Sequence, residues 1–101
     1  MGTVVSADVP VWSHWVIRME VDLGPEIGKK KAFSGIMKFF KPEDLEGNQY
    51  PFVINMEPKK IGPDKELSEV MMIMAVPSES EDVSPVLFQL QNKVENGVKV
   101  R

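Results

Sequence analysis

The strictest hydrophobic alternation in the chain runs through residues 15–23 and limits what this segment can form. Every second residue there is apolar, and charged residues stand between them from position 18 onward; the apolar set is Trp15, Ile17, Met19, Val21 and Leu23. Successive side chains of a β-strand point to opposite faces. The alternation therefore predicts an antiparallel strand with one buried face and one charged face in solvent.

Five further segments have less regular strand patterns. They are residues 2–9, 32–36, 50–56, 67–76 and 86–90. In the first of them the apolar face is expected to hold Val5, Ala7 and Val9, and in the last Val86, Phe88 and Leu90. Pro51 predicts an edge or a bulge, because proline cannot donate a ladder hydrogen bond. Both faces of residues 67–76 are apolar, which predicts that a helix, a partner subunit or a ligand groove covers the second face.

Turn and helix signals connect these strands. The glycines and proline of residues 24–28 predict a chain reversal, with the lysines of residues 29–31 at that reversal. Residues 38–47 predict a helix of one or two turns, because Pro42 suits a first helical position and Gly47 suits the positive φ that ends a helix. Residues 77–85 predict an acidic, serine-rich loop, and residues 96–97 a tight turn.

These elements predict an all-β domain. A length of 101 residues allows one hydrophobic core, so residues 1–101 are expected to form a single domain. Short strands with one helix between them fit a five-stranded Greek-key barrel of the oligonucleotide/oligosaccharide-binding (OB) type, with short extra strands near the C-terminus.

Charge is distributed unevenly along the chain. The formal net charge of −3 argues against a strongly cationic nucleic-acid binder. Residues 29–65 nevertheless carry a local charge of +3, and the remainder carries −6. The pattern indicates either a modest basic face or lysines around solvated loops. No apolar run approaches the roughly 20 residues of a membrane span and no signal-peptide pattern is present, so we expect a cytoplasmic protein without membrane insertion.

The residue types predict no catalysis and no cofactor. Cysteine is absent, which excludes disulfides, thiolate nucleophiles and cysteine zinc sites. His14 is the only imidazole, and no motif joins it and Ser13 or Ser34 to an acid and an oxyanion hole. The sequence has neither a phosphate-binding glycine loop before a helix nor metal-ligand spacing. We therefore expect a non-enzymatic protein.

Several side chains are candidates for a binding surface. Asn55 can hydrogen-bond a base or a peptide backbone, or it can cap its own turn. Trp12 can stack on a base, contact a peptide, or pack on its own loop. In residues 67–76 we expect Met72 and Met74 in the core and Met71 in a groove, since methionine adapts to varied apolar ligands.

An ordered series of motifs resembles the tRNA-binding domain family. The motifs lie at residues 21–28, 34–36, 42–47, 53–61 and 68–71, and the resemblance extends from residue 2 to the C-terminus. This family includes free-standing structure-specific tRNA-binding proteins and the C-terminal appendage of methionyl-tRNA synthetase. Within the family, residues 60–70 and 94–100 are most similar to the CsaA-like branch of export-related chaperones.

The resemblance implies an OB-type barrel, a homodimer and no catalysis. The chaperone branch implies that an apolar groove binds unfolded or presecretory polypeptides, with the export ATPase as a further partner; the alternative is that the same groove binds tRNA. The residues implied for this groove are Arg18, Lys30, Ser34, Asn55, Pro58, Ser68 and Met71, and Trp12 is an additional apolar or stacking anchor.

Two features depart from the family pattern. The chain begins inside the family's first strand, so the N-terminal helix of the family and its dimer contacts are expected to be missing. Residues 11–15 contain both tryptophans and the histidine, where relatives are basic or rich in proline and alanine. This composition favours an apolar contact over an electrostatic one, and a polypeptide-binding chaperone is the function we expect first.

Overall fold

The computed structural model describes residues 1–78 and 82–100, so residues 79–81 of the expected acidic loop lie outside the described residues. One helix of a single turn, α1 (Pro42–Leu45), lies between β3 and β4. The strands are β1 (Gly2–Asp8), β2 (Ile17–Asp22), β3 (Lys29–Ser34), β4 (Gln49–Tyr50), β5 (Phe52–Val53), β6 (Lys59–Ile61), β7 (Glu66–Ser68), β8 (Met71–Met72), β9 (Met74–Ala75) and β10 (Val86–Leu87). The predicted all-β class is confirmed.

The main sheet is antiparallel and has the strand order β3-β2-β1-β4. Three two-stranded ladders, β5–β8, β6–β7 and β9–β10, complete the fold. A parallel bridge between Ala32 and Val70 joins the edge strand β3 to the segment before β8. The Lys31 carbonyl accepts hydrogen bonds there from the amides of Glu69 at 2.9 Å and Val70 at 3.3 Å. The sheet therefore curls into the half-barrel of an OB-like fold.

The apolar face of β2 forms the centre of the core, as its alternation predicts. Ile17, Met19 and Val21 are at most 1% exposed, and Leu23 follows them into the core. They cluster with buried residues from β1, α1, β4 and β8. Burial of one such side chain contributes roughly 1.5–3 kcal/mol relative to full exposure.

The prediction that Trp15 continues this buried face is wrong. The Ser13 hydroxyl oxygen accepts hydrogen bonds from the amides of Trp15 at 3.2 Å and Val16 at 3.0 Å. This local contact holds the chain in a turn, so the strand begins only at Ile17. The Trp15 side chain is 61% exposed as a result.

The predicted apolar face of β1 is wrong at Val5. The pairing of β1 with β2 shifts register between Val4 and Ser6, which is a β-bulge. A bulge adds one residue to a strand and changes which positions face inward. Val4 is therefore fully buried and Val5 is 41% exposed, whereas Ala7 packs against the core.

The lysine run lies inside β3 and not in the preceding turn, which corrects both the predicted lysine position and the predicted strand start at residue 32. Lys29, Lys30 and Lys31 pair with Asp22, Val21 and Glu20 of β2 in that order. Opposite charges across an antiparallel pair are favourable, which explains why consecutive lysines are accepted in this strand.

The predictions for the helix and for Pro51 are confirmed. Pro42 occupies the first position of α1, and Gly47 has a φ of +82° shortly after its end. The Asp44 carboxylate accepts a 2.9 Å hydrogen bond from the Lys41 amide at the helix start. Pro51 separates β4 in the main sheet from β5 in another ladder, which divides the expected strand of residues 50–56.

Residues 67–76 are divided among β7, β8 and β9. Met72 is buried at 4% exposure and Met74 is partly buried against the core, whereas Met71 is 44% exposed, as predicted. Ile73, on the same side as Met71, is also exposed. The second apolar face of this segment is therefore open in the single chain.

The predicted apolar face of residues 86–90 is wrong. Val86, Phe88 and Leu90 are 49% to 57% exposed, and Leu87 packs against the core in their place. The alternation could not show which side chains face the core, because residues 86–90 have apolar side chains on both faces. Within residues 82–100, β10 is the only strand, and the predicted tight turn is present with Gly97 at a φ of +93°.

Candidate functional site

The two segments expected to line the groove lie opposite each other. Val53 of β5 pairs with Met71 of β8, and Lys59 of β6 pairs with Ser68 of β7. The loop of residues 54–58 therefore connects the two ladders on one side, while the chain between Ser68 and Met71 connects them on the other. This arrangement brings the asparagine–proline loop and the serine–methionine segment together.

These residues differ in accessibility. Asn55 and Pro58 are exposed on the loop, and Met71 is exposed beside it. Ser68 is only 6% exposed, and its hydroxyl donates to the Val70 carbonyl at 3.4 Å. A ligand on this surface therefore reaches Asn55, Pro58 and Met71 directly, and Ser68 lies beneath them.

Ser34 and Lys30 lie on β3, which contacts both β7 and β8. Ser34 ends the strand and is half-buried. The Lys30 ammonium lies 3.7 Å from the Glu69 carboxylate, with both side chains about one-third exposed at 39% and 31%. The structure thus brings the expected β3 residues next to the serine–methionine segment, with the lysine already paired.

Arg18 lies between two carboxylates. Its Nη1 donates to both oxygens of Glu66 at 3.0 and 2.8 Å, and its Nε donates to Asp8 at 3.0 Å. The Lys31 ammonium also contacts Glu66, at 3.3 Å. Glu66 has a side chain only 17% exposed. The charges of β1, β2 and β3 therefore hold the β6–β7 hairpin against the sheet; we call Asp8, Arg18, Lys31 and Glu66 the hairpin clamp.

The pKa values within the hairpin clamp follow from these contacts. The hydrogen bond from Arg18 to Asp8 is the largest cause that raises the pKa of the guanidinium, and the bond to Glu66 adds to it against partial burial. Burial raises the pKa of the Glu66 carboxyl, but hydrogen bonds from Arg18 and Lys31 outweigh it, so this pKa lies below its ordinary value of 4.5. Both shifts favour the charged forms of Arg18 and Glu66, so these two side chains are ionised at neutral pH.

The remaining cations divide into paired and unpaired groups. Lys29 lies 3.9 Å from Glu20, so each lysine of β3 has a carboxylate partner. Among residues 1–78 and 82–100, the β6–β7 hairpin carries three lysines without an ion pair, namely Lys59, Lys60 and Lys65. Of the lysines that could form a basic face, those on β3 are therefore paired with carboxylates, whereas those on the β6–β7 hairpin are not.

The two tryptophans have different environments. The six-membered ring of Trp12 lies over Gly62, where a β-carbon would stand 2.5 Å from the ring, and it is 6.3 Å from the Phe33 ring centre. Trp12 thus packs the loop before β2 onto the tip of the β6–β7 hairpin, a contact with a different element from its own loop. Trp15 is the more exposed ring.

An apolar groove of about 320 Å³ begins at Asn55. Ile54 and Ile73 line one side, and Val98 and Val100 line the other. All four residues are apolar, and Ile54, Ile73 and Val98 are 37% to 47% exposed. The sequence patterns did not identify this groove, because the turn near the C-terminus that brings these valines back gives no signal of where they pack.

Neither a metal centre nor a membrane span is found in the described chain. No group of three metal-ligating side chains occurs among residues 1–78 and 82–100. No helix in the same residues is long and apolar enough to cross a membrane.

A half-barrel built almost entirely of short strands defines a domain of the OB-like class. The sequence matches the putative tRNA binding domain family over residues 1–99, and the chain belongs to that family. The resemblance inferred from the ordered motifs is confirmed.

Known relatives include both parts of larger enzymes and small proteins. The chain is 34% identical over all 101 residues to a methionine–tRNA ligase of Methanocaldococcus jannaschii, and it spans 14% of that ligase's length. It superimposes on the chaperone CsaA of Bacillus anthracis with a TM-score of 0.82 and 35% identity, covering 99% of this chain and 86% of that one. It also superimposes on a methionyl-tRNA-synthetase-related protein of Pyrococcus horikoshii with a TM-score of 0.83 and 30% identity, covering 99% of this chain and 85% of that one.

Proposed function

We propose that this domain binds unfolded polypeptides, including presecretory chains, as a CsaA-like chaperone without catalysis. The observation that carries the proposal is the contrast between the two kinds of side chain at the expected site. Arg18 and the β3 lysines already have carboxylate partners, whereas Met71, Ile54 and Ile73 are exposed next to Asn55. Apolar side chains without partners favour an apolar ligand.

Six of the eight expected site residues have a role in this proposal. Met71 supplies an adaptable apolar contact, and Asn55 hydrogen-bonds the client's backbone beside it. Pro58 fixes the loop that carries Asn55, while Ser34 and Lys30 form the β3 side of the surface. Arg18 acts through Glu66 by holding the hairpin in place.

We also propose that the protein works as a homodimer in the cytoplasm, with the export ATPase as a further partner. Phe88 and Leu90 are exposed apolar side chains beyond the end of β10 that a second copy can cover. The absence of cysteine suits a reducing compartment. Light scattering at micromolar concentration tests the dimer, and a strict monomer contradicts it.

Suppression of aggregation tests the polypeptide-binding proposal. A chemically unfolded presecretory protein is diluted into buffer with and without the domain, and light scattering is followed over time. We expect the domain to slow aggregation and Met71→Glu to weaken the effect. Val5→Glu is the matched control, because Val5 is 41% exposed on β1, close to the 44% of Met71. No slowing at a stoichiometric excess of the domain refutes the proposal.

Binding of tRNA is the second candidate function. The observation that favours it is the set of unpaired lysines on the β6–β7 hairpin. Each phosphate contact that a lysine makes to double-stranded nucleic acid contributes about −0.9 to the slope of log K against log salt. We expect Lys59→Ala with Lys60→Ala to reduce the slope by about 2, and Lys93→Ala with Lys99→Ala to leave it unchanged. Negligible affinity at low salt excludes this function.

A further inference from the structure

An open cavity of about 540 Å³ lies between two strand edges of the half-barrel. Tyr50 of β4 lines one side, and Val86 and Leu87 of β10 line the other. In the described chain, β4 pairs only with β1 and β10 pairs only with β9. Each strand therefore has a second backbone edge without a strand partner among residues 1–78 and 82–100. Exposed edges of this kind accept an additional extended chain.

The walls of the cavity combine an apolar floor with polar groups at its margin. Phe40, Leu45 and Tyr50 form the floor together with Leu87, and Leu45 and Tyr50 are at most 2% exposed. The floor is rigid, because its residues belong to or pack against the core. A large apolar side chain of a ligand can be seated there without rearrangement of the barrel.

Hydrogen bonds fix the polar margin. Asn48 Nδ2 donates to the Asp44 carbonyl at 2.8 Å and to the Tyr50 hydroxyl at 3.3 Å. Gln89 stands across the cavity with an exposed side chain. Further along, Gln49 Nε2 donates to the Val94 carbonyl at 2.7 Å, and Gln49 Oε1 accepts from the Val94 amide at 3.2 Å. These two hydrogen bonds join the walls of the cavity. The cavity is therefore a preformed groove with one fixed end.

Acidic residues lie beside the groove. Residues 41–46 include one lysine and three acidic residues, a net charge of −2, and Asp44 lines the groove itself. Glu43 and Glu46 are exposed and have no ion-pair partner among residues 1–78 and 82–100. Negative charge beside an apolar floor selects a ligand with the opposite charge next to an apolar group.

We propose that this groove is a second polypeptide-binding site, which takes an extended segment with a large apolar side chain flanked by lysine or arginine. The apolar side chain is seated on Phe40 and Tyr50, the segment pairs with the free edge of β4 or β10, and its cations face Glu43 and Glu46. This site lies apart from the surface of Asn55 and Met71. It rests on the proposed polypeptide-binding function and adds the chemistry of the segment that is recognised.

Residues 98–100, an apolar and cationic stretch of this chain, do not occupy the groove. Residues 98–100 lie along the other groove, at Asn55, and the N-terminal ammonium of Met1 donates to the Val98 carbonyl at 2.8 Å. This contact holds the stretch away from the cavity at Tyr50. The occupant that we consider is therefore a segment of another polypeptide.

Fluorescence anisotropy with short labelled peptides tests the proposal. One peptide alternates leucine with lysine, a second has glutamate in place of lysine, and a third has serine in place of leucine. We expect the wild-type protein to bind the first at least about tenfold more tightly than either of the others at low salt. Gln89→Trp fills the opening and is expected to weaken binding by more than about tenfold. Gln91→Trp is the matched control, because Gln91 is exposed nearby but does not line the groove.

A charge reversal tests the acidic residues beside the groove without disturbing the floor. Glu43→Lys with Glu46→Lys changes two exposed side chains; we expect it to weaken the lysine peptide about tenfold and to strengthen the glutamate peptide. Glu26→Lys with Glu95→Lys makes the same change in net charge elsewhere and is expected to leave the order of affinities unchanged. If Gln89→Trp and the charge reversal both leave binding unchanged, the groove proposal is overturned.

The outcomes separate this site from the proposed function. If aggregation is still suppressed and Met71→Glu abolishes peptide binding while Gln89→Trp does not, the second site is refuted and the proposed function stands. If the wild-type protein binds no peptide and suppresses no aggregation, both the second site and the proposed polypeptide-binding function are refuted. If Gln89→Trp converts a dimer to a monomer, a second copy occupies the groove and the proposal is overturned.

Discussion

Replacement of Arg18 by methionine should destabilise the fold far more than a similar change at Lys29. The Arg18 side chain makes hydrogen bonds to both Asp8 and Glu66, and without it Glu66 keeps only Lys31 while its side chain is 17% exposed. Removal of one partner from a buried ion pair costs about 3–5 kcal/mol, and exposed pairs contribute about 0–1. Arg18 is 31% exposed, so we expect a loss of about 2 kcal/mol in the free energy of unfolding.

The expected change in melting temperature follows from chain length. An unfolding entropy of about 2.1 cal/mol/K per residue gives roughly 0.2 kcal/mol/K for 101 residues. A loss of about 2 kcal/mol therefore lowers Tm by about 10 °C for Arg18→Met. Lys29→Met is the control: its ion pair with Glu20 is 3.9 Å long and the two side chains are 62% and 47% exposed, so we expect a change below about 2 °C.

A double-mutant cycle measured by urea unfolding and far-UV circular dichroism isolates the contact between Arg18 and Glu66. We expect Arg18→Met and Glu66→Gln to be coupled by more than about 1 kcal/mol. If their effects add to within about 0.5 kcal/mol, the hairpin clamp does not hold the hairpin and the reasoning fails.

Acidification provides a second readout on the hairpin clamp. Because the pKa of Glu66 is lower in the folded state than its ordinary value of 4.5, the stability from this group is present above pH 4.5 and is lost as pH falls through the folded pKa. The difference between wild type and Arg18→Met should therefore be constant from roughly pH 5 to 8 and narrow below pH 4.5. A difference that persists in acid contradicts this account.

Two further pairs of substitutions test the packing around the hairpin tip, each measured by urea unfolding. Trp12→Ala should cost about 2 kcal/mol because the ring packs on Gly62 and Phe33, whereas Trp15→Ala should cost less than about 0.5 because its ring is exposed; equal costs contradict the different environments of the two rings. Gly62→Ala should cost more than Gly28→Ala, since both have positive φ but only Gly62 has a neighbour, the Trp12 ring, within 4 Å of the added carbon. In a Trp12→Ala background the two glycine substitutions should cost the same, and a persistent difference would place the steric contact elsewhere.

Local patterns predicted the elements whose conformation depends on their own residues. The alternation at Ile17, Met19 and Val21 defined the buried face of β2, and Pro42 with Gly47 defined the short helix. The motif series identified the family, and the structure places Asn55 and Met71 of that series in one region. In each case the physical cause, a strand's pleat or a residue's fixed φ, acts within a few residues.

The predictions failed where a contact outside the local pattern determines the conformation. The bulge after Val4 depends on pairing with β2. The exposure of Trp15 has a local cause, the hydrogen bonds that the Ser13 hydroxyl accepts, but the hydrophobic alternation does not reveal it. The carboxylates of Asp8 and Glu66 had no sequence signal as partners of Arg18, since they come from β1 and β7. Outward orientation of Arg18 was predictable from the alternation, but the residue it would meet was not.

The position of the three lysines within β3 determines which ligand chemistry the sheet can offer. The same three lysines in a turn would be mobile cations available to phosphate, but in β3 each has a carboxylate within 4 Å. A phosphate that displaced Glu66 from Lys31 would weaken the contacts of a carboxylate whose side chain is only 17% exposed, which offsets the gain. Among residues 1–78 and 82–100, the β6–β7 hairpin carries three lysines without an ion pair, Lys59, Lys60 and Lys65, while the surface at Asn55 has apolar neighbours. We therefore expect polypeptide and RNA to favour different surfaces of the domain, and an unfolded polypeptide to compete weakly with tRNA if both bind. Full competition would mean that one groove receives both ligands.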